Sequence, residues 1–317
     1  IENVQSSTYP EFADLLTALK SGAVDGYIAE EPTAFSVCQS DDSLTYIPLK
    51  NNDTGFTATP ADVGIAIGLK KGSELTARIN EVLATITDEQ REELMEQIVT
   101  LSSGGEVTEF AVSCPAPAST SGVLRVGMEC AYEPYNWTDM DGTSLGAVPI
   151  SGEGKDGLYA NGYDVQIAQY VANKLGMKLV IDDMEFDAII PALTSGKADI
   201  AMAGMTVTEE RLQSINFSDS YATGVQVIIV KEDSDITSAD DIVAKIENGE
   251  NIQIGCQIVT TGYIYASDTI ENGGFGEDHV QAFPKGADAI AALTSGKIDC
   301  VIIDNEPAKA FVEANNG

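Results

Sequence analysis

The chain has 317 residues, 44% of them hydrophobic, enough to bury the cores of about two ordinary domains. Its 50 acidic residues outnumber 17 basic ones, giving a net charge of −33. That field repels phosphate backbones and anionic head groups, so no nucleic acid or membrane-surface partner is expected and the acidic coat reads as solvated surface.

No apolar run approaches the roughly 20 residues that span a bilayer. A chain starting at Ile1 without a leader is expected to be an excised or processed piece, with any anchor or signal outside it. The five cysteines (Cys38, Cys114, Cys130, Cys256, Cys300) show no C-x-x-C spacing and His279 is the single histidine, so no metal, redox centre or cofactor is expected. Cys256 and Cys300 lie in apolar strand-like runs and read as buried thiols, with a disulfide between them as the alternative.

In chain order, a helical pattern at 11–20 precedes strands at 24–29, 45–49 and 63–69 and helices at 74–86 and 88–101, with Thr87 and Gln90 spaced as a capping box. Residues 102–122, rich in Ser, Gly, Pro and Ala, read as a linker that packs no core. A second block opens with the strand LRVGM at Leu124. Helix 165–175, strand 178–181, helix 186–194 and strand 199–203 follow, then strands at 226–230, 252–256 and 298–303. Alternating strands and helices predict an α/β fold with mostly parallel sheets.

The chain repeats itself. Residues 9–30 align without a gap to 283–304, with Pro10/Pro284, Asp14/Asp288, Ser21-Gly22/Ser295-Gly296 and Asp25/Asp299 identical. ALTSGKAD at 192–199 is a third relative, against ALTSGKID at 292–299. Each copy reads as a helix capped by Gly, a short loop with Asp, and a buried strand. One such unit is ordinary α/β packing; three call for an explanation.

LRVGMECAYEPYNW, GYDVQIAQYVANKLGMKL, MEFDAIIPALTSGKADIAMAGMTVTEERLQSINFSDSYATG and IQIGCQIVTTG, in that order, resemble the polar amino-acid solute-binding proteins of ABC importers. The resemblance implies a two-lobed type II periplasmic binding protein fold with hinge strands between lobes. It assigns 123–228 to lobe 1 and 229–317 to lobe 2. In the family, a return strand and final helices on lobe 1 follow the VIID-type strand; here VGIAIGLKKGSELTARINEVLATI, near the front of the chain, resembles them.

Residues 1–101 thus resemble the end of a binding domain, with 1–50 like lobe 2 and 58–101 like the return strand and lobe 1 helices. The chain is then either a window on a tandem array or a circularly permuted domain; the short linker favours permutation. Either way one duplicated segment is surplus and available to pack against a neighbouring copy.

A free amino acid presents a carboxylate, an ammonium and a side chain. Arg211, in the first turn of a helix capped by Thr208, has the fork that matches a carboxylate, although a lone Arg in an acidic turn is ordinarily a surface ion pair. The resemblance gives Thr260 and Thr261 the same carboxylate, with Val259 standing where the family usually has Gly. It gives Ala203, Gly204 and Thr206 the ligand's α-groups. Asp304, ending a strand, is the expected ammonium partner, and Glu30 is its counterpart in the first copy.

Tyr132 or Tyr135, with Phe186, resemble the aromatic walls; Trp137 is a further candidate wall. Glu129 faces the distal group and suggests a polar or cationic side chain. The function implied is extracellular, cell-surface or periplasmic capture of an amino acid for an ABC transporter permease. The alternative is a ligand-sensing module of a membrane receptor. An enzyme is not expected: His279 lies away from these motifs, and neither G-x-S-x-G nor a P-loop occurs.

Overall fold

The computed structural model describes residues 64–316 except 103, 153, 237, 271 and 272. All belong to one compact unit, Thr59–Gly317. The helix expected at 11–20, the strands at 24–29 and 45–49, the first repeat copy and Glu30 lie outside the described residues.

Strand β1 (Gly64–Lys70) reads GIAIGLK and is buried along six of its seven residues, as suits a strand covered on both faces. Helices α1 (Leu75–Leu83) and α2 (Asp88–Ser102) follow. The capping box forms: Thr87 N–H donates to Gln90 Oε1 at 3.1 Å and Gln90 N–H to Thr87 Oγ1 at 3.3 Å.

Strand β2 (Val123–Met128) then opens the larger lobe. A meander of β3 (Ala131–Tyr132), β4 (Asn136–Asp139), β5 (Val148–Ser151) and β6 (Tyr159–Asn161) precedes α3 (Tyr163–Leu175) and β7 (Lys178–Asp183). Next come α4 (Phe186–Ser195), β8 (Ile200–Ala201), α5 (Glu209–Ser214) and β9 (Ile215–Thr223). The nine-stranded sheet has the order β3-β4-β6-β5-β7-β2-β8-β1-β9.

β1 therefore lies between β8 and β9, antiparallel to both, although it precedes β2 in the chain. Its Ile65, Ile67 and Leu69 are fully buried in the core with Val126 and Ile200. Arg91 of α2 donates to Ser220 O and Leu83 O, both at 2.9 Å, tying α2 to β9.

The smaller lobe contains β10 (Gln226–Ile229), α6 (Ala239–Glu247), β11 (Ile254–Gln257) and α7 (Thr261–Ser267). It continues with β12 (Val280–Phe283), α8 (Gly286–Thr294), β13 (Cys300–Asp304) and α9 (Asn305–Asn316). Its sheet order is β10-β13-β11-β12, with β11 parallel to both neighbours. The chain crosses between lobes at Gly224–Val225. There Asn305 clamps the crossing, donating its N–H to Val225 O at 2.8 Å and accepting Val225 N–H at its side-chain oxygen at 3.2 Å.

The repeated motif has a structural basis in both lobes. Gly196 and Gly296 sit at φ +78° and +74° beyond α4 and α8, and the following Lys197 and Lys297 N–H groups each reach back 2.9 Å to Ala192 O and Ala292 O. Asp199 then exchanges bonds with the backbone of Arg125 beside β8, and Asp299 does the same with Gln253 beside β13.

One expectation is corrected. Residues 102–122 do not avoid the core: Phe110 and Val112 are buried in it. Gln97 accepts Ala111 N–H at 2.8 Å, and Asn173 donates to Cys114 O at 2.8 Å. Phe110 and Val112, with Val107 and Cys114 partly buried beside them, seat this segment on the core. Cys256 and Cys300 are buried free thiols, and burial pushes both up to about 12.

Candidate functional site

Four strands of the two sheets end at one cleft, as open α/β sheets place their ligands. Glu129 follows β2, Ala203 and Gly204 follow β8, Gln257 ends β11 and Asp304 ends β13. With Tyr132, Phe186, Thr206, Arg211, Thr260 and Thr261 they line one pocket. The sequence thus named ten of the eleven lining residues.

Arg211 is buried. Its guanidinium donates to Thr206 O at 2.7 Å and, across the cleft, to Val259 O at 3.0 Å, and lies 5.3 Å over the Phe186 ring. Burial lowers its pKa to about 10, with Asp304 opposing the shift, so it remains cationic at neutral pH. Thr208 caps α5 by accepting the Arg211 N–H at 3.2 Å, which fixes the base of this side chain. Thr260 caps α7 in the same manner, accepting Tyr263 N–H at 3.3 Å.

Asp304 accepts from the Tyr132 hydroxyl and from Gln226 Nε2 at 2.5 Å. Burial raises its carboxyl to about 6 against the opposing pull of those bonds and of Arg211. Glu129 accepts from Gln257 Nε2 at 2.7 Å, and burial raises it to about 7. One guanidinium and two reluctant carboxylates thus share the cleft.

Val259, at φ +55°, adopts the left-handed backbone that Gly would take, so the loop keeps that geometry despite the substituted residue. Gly204, at φ +58°, is held to glycine: a Cβ there would meet the Tyr132 ring at 3.1 Å.

Tyr135 is corrected. It is fully buried behind Tyr132, with ring centroids 6.0 Å apart, and supports that wall without lining the cleft. Trp137 is not among the lining residues either; it is partly buried against the larger lobe's core. The residue missed is Gln257, whose signal was its place at the end of a strand two residues before VTTG.

These two lobes, closed over a cleft at their strand ends, define the type II periplasmic binding protein fold. Residues 124–290 match the bacterial extracellular solute-binding proteins, family 3, and the chain belongs to that family. The arginine-binding extracellular protein ArtP of Bacillus subtilis is 30% identical over 175 residues, 55% of this chain and 64% of that protein. A probable histidine-binding protein of Campylobacter jejuni is 28% identical over 199 residues, 62% of this chain and 66% of the relative. The chain therefore spans just under two thirds of the length of these relatives. The structure of an ancestral arginine-binding protein bound to arginine matches with 34% identity and a TM-score of 0.50, covering 62% of this chain and 76% of that one.

Proposed function

We propose that this chain captures a free amino acid with a polar or cationic side chain and delivers it to an ABC-type importer. The observation that carries the reading is the charge pattern of the cleft: Arg211 and Glu129 line it from the larger lobe and Asp304 from the smaller one. Arg211, with Thr206, Thr260 and Thr261, takes the α-carboxylate; Asp304 takes the α-ammonium; Glu129 takes the distal group between Phe186 and Tyr132. One cation against two carboxylates complements an amino acid of net charge +1, so arginine, lysine and protonated histidine fit better than acidic ones. The names of the relatives, arginine-binding and histidine-binding, support the same choice.

The site acts by binding, outside the cytoplasm, and the partner is a transporter permease. No helix among the described residues is long and apolar enough to cross a membrane. The lobe 1 sheet is completed by β1 from earlier in the chain, which supports a circularly permuted order in which 64–102 serve as return strand and closing helices, 123–228 as lobe 1 and 229–317 as lobe 2.

The test is a thermal-shift panel of the twenty amino acids, sugars and short peptides. A ligand that binds only the folded state raises the melting temperature, and the largest rise is expected with arginine, lysine or histidine. A response to a sugar or peptide with none to any amino acid overturns the reading.

A further inference from the structure

The loop Ala203–Thr206 supplies three of the cleft's lining residues, yet the strand that presents it, β8, has only two residues. So short a ladder does not fix a loop. The backbone hydrogen bonds of the loop and its flanks show what does. Met202 N–H donates to Gly127 O at 3.1 Å, Ala66 N–H to Met205 O at 3.1 Å, and Val207 N–H to Gly64 O at 2.9 Å. Gly204 has no backbone partner of this kind. Its N–H points into the larger lobe and donates to Asp164 Oδ2 at 2.8 Å.

Asp164 is fully buried in the first turn of α3, where the helix N-terminus favours a carboxylate. Oδ2 also accepts from Asn136 Nδ2 at 2.9 Å, and Oδ1 accepts from the Tyr221 hydroxyl at 2.6 Å. Tyr221 stacks on Tyr163 at 6.1 Å, Tyr163 meets Tyr135 edge-on at 6.3 Å, and Tyr135 stacks on Tyr132 in the cleft wall. The carboxylate thus reaches the cleft by two routes, the Gly204 amide and a ladder of four tyrosines. Two residues past Gly204, Thr206 O receives Arg211.

We propose that Asp164 is a positioning residue: by holding the Gly204 amide it sets the loop Ala203–Thr206, and through Thr206 O the aim of Arg211, for ligand binding. The ligand half of this inference rests on the proposed function. The loop half does not.

The test uses the whole chain with Asp164→Leu and Asp164→Asn. Leucine keeps the approximate volume and cannot accept. Asparagine keeps an oxygen for Gly204 and Asn136, while its amide donates to the Tyr221 hydroxyl turned acceptor. In the ligand-free protein, D164L is expected to speed hydrogen exchange at the Gly204 amide about tenfold or more and to move its NMR signal, while D164N leaves both near their original values. With L-arginine as the calorimetric probe, below the melting point of every variant, D164L loses about tenfold in affinity and D164N less than about threefold.

An unmoved Gly204 amide in folded D164L, or equal effects of both substitutions, overturns the proposal. Should D164L not fold, Asp164→Glu pushes the acceptors one methylene toward the loop: a displaced Gly204 signal supports the proposal, an unmoved one overturns it. If the unaltered protein binds none of the twenty amino acids, the functional reading falls, and the Gly204 exchange still decides whether Asp164 sets the loop.

Discussion

Gln257 Nε2, at the end of a strand in the smaller lobe, donates to Glu129 Oε1, just past a strand in the larger one, at 2.7 Å. The bond spans the cleft and both partners are buried. Glu129 therefore sits where its carboxyl is poorly hydrated, and in the proposed binding mode it meets the ligand's distal end.

The pH dependence of stability follows. Burial raises Glu129 from 4.5 to about 7, and Asp304 and Asp164 from 3.8 to about 6. Between the unfolded and folded values the native state binds more protons than the unfolded one, so stability of the ligand-free protein falls as pH rises from about 4 to 7. Glu129 alone accounts for a loss on the order of 3 kcal/mol at the top of that window. Glu129→Gln should flatten the slope of melting temperature against pH; a slope unchanged by E129Q removes the assignment.

Binding near pH 6 should then release protons, because an ammonium draws Asp304, and a cationic side chain draws Glu129, into the ionised form. Calorimetry in buffers of different ionisation enthalpy is expected to show greater release with arginine than with glutamine, and the excess should vanish in Glu129→Gln. Equal release by both ligands in the unaltered protein counts against Glu129 as the distal partner.

Arg211 is the carboxylate anchor in this scheme, and its geometry is a fork. Arg211→Lys keeps the charge but loses the planar pair of donors, and should weaken ligand binding by about 2 kcal/mol or more; Arg211→Ala should bring the loss to about 3–5 kcal/mol. Far-UV circular dichroism should be unchanged, since the side chain lies at the cleft and not in a lobe core. Affinity retained in the alanine variant would refute the role.

Asp199 and Asp299 make the opposite case, residues repeated for structure. Each closes the loop from a helix C-cap onto the start of a neighbouring strand, and neither lines the cleft. Asp199→Ala and Asp299→Ala should each cost about 0.5–1.5 kcal/mol in urea unfolding, the net worth of an exposed hydrogen bond whose backbone N–H turns to water, with amino-acid affinity close to unchanged. A large affinity loss from either would show that the motif has a binding role as well.

What was legible in the sequence follows from these particulars. Thr87/Gln90, Thr208 and the Gly-x-x-Asp units are local, so their geometry is encoded within a few residues and appears in the fold. Most cleft residues were legible because they lie in the motifs that carry the family resemblance, and Asp304 because it ends a buried strand. Tyr132 and Tyr135 were not separable: both are aromatic, three apart, and only the three-dimensional turn through Pro134 decides which lines the cleft. Phe110 and Val112 were hidden in a polar stretch, because burial there depends on α2 and α3 being adjacent. Gln257 was hidden because its partner Glu129 is 128 residues away.

The placement of β1 carries the last prediction. A strand from one chain can complete a sheet in the same chain or in another copy, and the hydrogen bonds of β1 to β8 and β9 would be identical in both. Ile67 is fully buried on this strand, so Ile67→Ala should destabilise the larger lobe by about 2–4 kcal/mol through the cavity left behind. The two origins differ in mass action: intrachain completion makes unfolding independent of protein concentration, whereas exchange between copies raises the melting temperature with concentration. Urea and thermal unfolding of the unaltered chain and of Ile67→Ala, at two concentrations about a hundredfold apart, should superimpose for each protein. A midpoint that climbs with concentration, above all in the weakened variant, would mean that β1 is donated from one molecule to the next.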